Sequence, residues 1–106
     1  MAATMDGQPS DINIDVAITY KGDVQIELIK PLCDSPSPYQ AYKQAGLWGL
    51  HHVQFTTKNM DASVELAKSA GLELACTISQ GGGVYNYFRG PGVWFEMIEA
   101  SKDLEM

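Results

Sequence analysis

Residues 50–99 read LHHVQFTTKNMDASVELAKSAGLELACTISQGGGVYNYFRGPGVWFEMIE, and their punctuation decides the fold. Leu50–Thr57 alternates like a strand. His52, Gln54 and Thr56 share one face; His51, Val53, Phe55 and Thr57 share the other. Asn59 is placed to cap a helix, and Asp61 suits its first turn, where an anion meets the unpaired amides. Met60–Ala70 is then helical, with Met60, Val64 and Ala67 on one stripe and Gly71 where a terminating glycine belongs. Three strands follow: Leu72–Ile78, Val84–Arg89 and Val93–Glu99. Gln80-Gly81-Gly82-Gly83 and Gly90-Pro91-Gly92 are the turns between them. The order is β, α, β, β, β.

Upstream of this unit, Ile12–Tyr20 and Val24–Lys30 alternate around a Lys21-Gly22-Asp23 turn and predict a hairpin. Pro31 ends it. Asp34-Ser35-Pro36-Ser37-Pro38 reads as loop, and Tyr39–Ala45 as a short helix stopped by Gly46. Met1–Asp11 is polar, contains Gly7 and Pro9, and reads as a loose tail; residues 101–106 read as a polar end. Antiparallel strands with helices packed on one face give an α+β domain.

The whole chain is 106 residues, one domain by length. Seven basic residues against thirteen acidic ones leave a net charge of −6. Nucleic acid and anionic membranes repel such a surface, so neither is expected as a partner. No apolar run reaches the roughly 20 residues of a membrane span. Met1–Ser10 carries neither a basic segment nor a hydrophobic stretch, so it is not read as a signal peptide. Cys33 and Cys76 are too few for a disulfide scaffold, and two reduced thiols suit a cytoplasmic protein.

Several strands carry polar groups at mid-length. Gln25 and Glu27 share a face of the second strand; Trp94, Glu96 and Ile98 share a face of the last. Such faces line solvent or a cleft, because an unpaired charge does not enter a core. A sheet with a polar concave face is a natural small-molecule site. Imidazole and carboxylate together suit Zn²⁺, Ni²⁺, Co²⁺, Mn²⁺ or Fe²⁺. No close ligand pair ties His52, Glu27 and Glu96 together in sequence, and solvated strand faces are the ordinary alternative. Gly81–Gly83 lacks the Lys-Ser/Thr and helix start of a phosphate cradle, and reads as a hairpin turn. Tyr85 and Tyr87 are read first as cross-strand packing.

Four runs carry a family likeness. They are Val24-Gln25-Ile26-Glu27-Leu28-Ile29-Lys30-Pro31, Gly49-Leu50-His51-His52-Val53-Gln54-Phe55, the helix opening Asn59-Met60-Asp61, and Gly92-Val93-Trp94-Phe95-Glu96-Met97-Ile98-Glu99. Together they resemble the vicinal oxygen chelate superfamily of glyoxalase I, methylmalonyl-CoA epimerase, bleomycin-resistance proteins and extradiol dioxygenases. The nearest look is to the glyoxalase-like and epimerase-like branch.

The resemblance implies paired βαβββ modules whose sheets curl around one cleft. Residues 50–99 would be a complete second module, 12–31 the last two strands of the first, and 32–49 a linker, within a domain spanning 12–100. The first module's opening strand and helix have no counterpart. The resemblance implies a divalent metal held by Glu27, His52 and Glu96, with a fourth ligand missing. It implies isomerase, epimerase or lyase chemistry on a small carbonyl or thioester compound, with Glu27 and Glu96 as catalytic base candidates. Gln54 and Trp94 are the candidates for contacting substrate. Alternation puts His51 on the face opposite His52, away from any shared ion. A homodimer would cover the strand edges that an incomplete module leaves open. A metal-free small-molecule-binding protein, or a non-catalytic fragment, is the alternative.

Overall fold

The computed structural model describes residues 1–99; Ala100 and the expected polar end at 101–106 lie outside the described residues. The chain is α+β. Eight strands and two helices follow in the order β1 (Ala2–Met5), β2 (Gln8–Asp11), β3 (Ile14–Lys21), β4 (Val24–Pro31), α1 (Pro38–Gln44), β5 (His52–Thr57), α2 (Met60–Ser69), β6 (Glu73–Gln80), β7 (Gly83–Arg89) and β8 (Trp94–Glu99).

The βαβββ unit forms as its pattern predicts. β5 runs parallel to β8, α2 supplies the crossover, and β8, β7 and β6 are antiparallel neighbours. The Asn59 side chain accepts from the Ala62 amide at 3.1 Å and closes the first turn of α2. Gly71, at φ 91°, takes the left-handed position that ends it. The short helix α1 starts at Pro38 after a Ser37 cap whose Oγ accepts from the Gln40 amide at 2.9 Å.

Met1–Asp11 is not a loose tail. β1 and β2 form a hairpin, and β1 adds to the free edge of β6. The six-stranded order is β2-β1-β6-β7-β8-β5. The turn is Asp6-Gly7, with both residues at positive φ (51° and 81°), the geometry that matches the natural twist of two strands. Arg89 secures it from β7, with Nη2 3.2 Å from Asp6 and Nη1 2.8 Å from Glu73. Pro9 sits on the edge strand β2, where its missing N–H is tolerated.

β3 and β4 form a separate two-stranded hairpin, paired from Ile14↔Pro31 to Lys21↔Val24. Val16, Ile18, Glu27 and Ile29 fall on one of its faces. The other face carries Ala17, Val24, Ile26 and Leu28; Val24 and Leu28 are 62% and 67% exposed. That face meets solvent. The core lies between the large sheet, α1 and the base of this hairpin: Met5, Ile12, Tyr39, Cys76, Ile78, Tyr87 and Trp94 are all buried.

Candidate functional site

Pairing puts the site's residues in rows across the large sheet. Gln54, Glu96 and Tyr87 are successive partners on β5, β8 and β7. Ile98, Tyr85 and Ile78 form the row beside them on β8, β7 and β6. The face they share looks onto the β3–β4 hairpin. Between sheet and hairpin lies a cleft of about 590 Å³, lined from the sheet by Gln54, Glu96, Tyr85 and Tyr87 and from the hairpin by Val16, Gln25, Glu27 and Ile29. Met1 and Ile12 also line it, so the segment read as a tail contributes to the wall.

Glu96 is buried, with 6% of its surface exposed, and needs a partner. The Gln54 amide nitrogen donates to Glu96 Oε1. The Tyr39 and Tyr87 hydroxyls meet at 2.6 Å with their rings edge-on. Burial pushes both phenols well above the usual tyrosine range; Glu96 nearby adds to the shift. Both therefore stay neutral and act as hydrogen-bond groups.

Glu27 reaches across from the hairpin. Its Oε1 lies 3.8 Å from His52 Nε2. His52 is held from behind, with its Nδ1 2.8 Å from His51 Nδ1. His51 Nε2 lies 3.0 Å from the Pro38 carbonyl oxygen. The two histidines thus share a bond that strict alternation denies them. The reason is that β5 begins at His52, so His51 is free of the strand's up-down rule. His51 packs against Tyr39 at 5.1 Å and Trp94 at 6.4 Å, both stacked, and edge-on against Tyr42. Burial pulls its pKa down to about 4, outweighing the contact with Pro38.

The three residues expected to hold a metal are divided. Glu27 meets His52, while Glu96 is engaged by Gln54. Among the described residues no three His, Cys, Asp or Glu side chains cluster at a spacing that would hold an ion. The residues in place do not fit the three-ligand centre. Of the two residues expected to contact substrate, Gln54 lines the cleft. Trp94 is buried in the core, under the Arg89 guanidinium at 5.2 Å and beside His51. Sequence reasoning passed over Tyr39, because α1 showed only as a short helix. It also passed over Met1, whose one signal was the Asp6-Gly7 turn.

A model of the glyoxalase/bleomycin resistance protein/dioxygenase superfamily matches residues 1–88. The chain belongs to that superfamily. The match includes the β1–β2 hairpin, Glu27, His52 and Gln54, and stops before β8, which carries Glu96. No curated protein matches the chain. Among the described residues no helix is long and apolar enough to cross a membrane. Cys33 and Cys76 are both free thiols.

Proposed function

We propose that this superfamily member is a small-molecule-binding protein that holds a compact organic ligand in the cleft between hairpin and sheet. The observation that carries the reading is Glu96. It is a buried carboxylate oriented by Gln54 in the wall of a cleft large enough for a ligand, with Glu27 opposite. Isoleucines supply apolar contact, and the tyrosines and glutamines supply directional bonds. Its place is the cytoplasm, where the two thiols stay reduced.

The second reading is a metal-dependent isomerase or lyase on a small carbonyl or thioester compound, which would need Glu96 to leave Gln54 before it could join Glu27 and His52 around an ion. The Glu27–His52 contact favours it by supplying two donors. A homodimer fits both readings: Phe55 on β5, the edge strand of the large sheet, is half-exposed, and so is the outer hairpin face.

Native mass spectrometry, with chelator and after exposure to divalent ions, tests the choice. The binding reading expects ligand adducts in chelator and no stoichiometric ion. One ion per cleft, lost in His52→Ala, overturns it in favour of the enzyme.

A further inference from the structure

The large sheet ends at β5, and that edge is open. Among the described residues β8 is the only strand that pairs with it. Val53, Gln54, Phe55 and Thr56 are exposed in succession, so water reaches both faces of the strand. The usual guards of a free edge are missing. β5 holds no proline, no lysine and no carboxylate, and its register with β8 runs without a bulge. From Gln44 to Thr57 the chain has no Asp, Glu, Lys or Arg.

The ladder fixes where the backbone groups point. The Trp94 amide donates to the His51 carbonyl at 2.8 Å, and the register continues from His52↔Trp94 to Thr57↔Glu99. In a parallel ladder alternate residues turn both N–H and C=O to the same neighbour. Val53 and Phe55 therefore turn theirs to β8, as His51 does. His52, Gln54 and Thr56 turn theirs to the open edge. These three are symmetric about Gln54. An antiparallel copy can set Gln54 against Gln54, His52 against Thr56 and Thr56 against His52, with two hydrogen bonds exchanged at each pair. A slip of two residues leaves His52 or Thr56 without a partner inside the strand. The same register sets Val53 of each copy against Phe55 of the other on the outer face. A β-branched side chain opposite an aromatic ring is a favourable cross-strand pair.

Charge and area name the occupant. The chain carries −6, so two copies repel wherever acidic surfaces meet. Along β5 they meet no charge. The loop entering β5 adds Trp48, 94% exposed, and Leu50. With Val53 and Phe55 these leave several hundred Å² of apolar surface in water, of the order of the ~800 Å² that each partner gives to a stable interface.

We propose that two copies of this chain join edge to edge through β5, antiparallel about a two-fold axis at Gln54, so that their six-stranded sheets become one. Gln54 lines the cleft, and its counterpart in the second copy stands beside it on the same face, about 5.5 Å away between α-carbons. The two clefts then adjoin across the axis. The pairing needs no ligand, so it stands or falls apart from the binding reading.

The test is sedimentation velocity of the full-length chain across a concentration series, with two variants. A dimer that dissociates on dilution is the expected result. Thr56→Pro removes an N–H that faces the open edge and leaves the β8 ladder intact. It should weaken the dimer about tenfold or more, because it removes the Thr56 amide's bond on each side of the axis. Phe55→Lys puts a guard charge on the edge and should leave only monomer. Amide exchange on the wild-type dimer should show Gln54 and Thr56 protected. An isotope-filtered NOE spectrum of mixed-label dimer should show Val53 methyls against the Phe55 ring of the other copy.

A monomer at every concentration overturns the proposal and leaves the binding reading untouched. So does a dimer in which the Gln54 and Thr56 amides exchange freely. A dimer that survives Thr56→Pro and Phe55→Lys but is lost in Leu28→Lys lies on the outer hairpin face and overturns the β5 interface. Open-ended oligomers overturn the closed two-fold pair. If both β5 variants fail to fold, the exchange and NOE measurements on the wild-type chain decide.

Discussion

Gln54 and Glu96 are register partners on parallel strands, 42 residues apart in sequence, and the Gln54 amide donates directly to the Glu96 carboxylate. Few positions tie the stability of the fold so closely to the wall of the cleft. Removing the donor strands a buried acceptor. Gln54→Ala should therefore cost about 2 kcal/mol, the usual penalty for a buried polar group left unpaired. Glu96→Gln, which can keep an amide–amide bond, should cost about 1 kcal/mol or less. Urea denaturation of the two variants checks the order; equal losses would mean that the bond contributes nothing.

His51 makes the protein acid-sensitive. Its folded pKa lies near 4, against 6.5 for an ordinary histidine, because burial disfavours the charged ring. Between those values the unfolded chain binds the extra proton and the folded chain does not. The stabilisation is complete above pH 6.5 and is lost as pH falls toward 4. A shift from 6.5 to about 4 corresponds to roughly 3 kcal/mol across that window. Thermal melts from pH 7 to pH 4 should show the fall, and His51→Phe should flatten it.

The two thiols should separate cleanly. Cys33 is partly exposed, and hydrogen bonds from Asn13 and Ser35 favour its thiolate. Cys76 is buried, and desolvation pushes its pKa up to about 12. A thiol reagent at pH 8 should modify one cysteine per native chain, at Cys33, and both after unfolding. Peptide mapping of the labelled site decides it.

Gly90 permits a close approach between β7 and β8. A Cβ there would stand 2.8 Å from the Val93 carbonyl and 2.5 Å from the Phe95 ring. The ring can move; the backbone cannot. Gly90→Ala should destabilise by about 1–3 kcal/mol, the range for overpacking. Denaturant midpoints against wild type measure it.

The complete βαβββ unit was legible because each element had a period and a stop. Asn59, Gly71 and Gly90-Pro91-Gly92 mark its joints, and the alternation in Leu50–Thr57 and Val93–Glu99 sets which side chains share a face. The Met1–Asp11 hairpin was not legible. Its strands have four residues each, too few to show a period, and only Asp6-Gly7 marked the turn. Parity correctly put Gln54 and Glu96 on the faces of His52 and Trp94. It could not give the parallel register that bonds Gln54 to Glu96, nor the His51–His52 contact, because His51 precedes the strand. Trp94 shows the remaining limit. Face assignment says which side of the sheet a residue takes, and the end of the sheet it occupies decides whether it meets core or cleft.

The most direct test of the cleft as the binding site is the side-chain amide of Gln54, seen in ¹⁵N-labelled protein during titration with a saturating ligand. The account predicts that the Gln54 amide pair shifts in step with occupancy, together with backbone amides around Glu96 and Tyr87. Saturable shifts confined to the outer hairpin face, around Val24, Ile26 and Leu28, or to exposed Trp48, would contradict it.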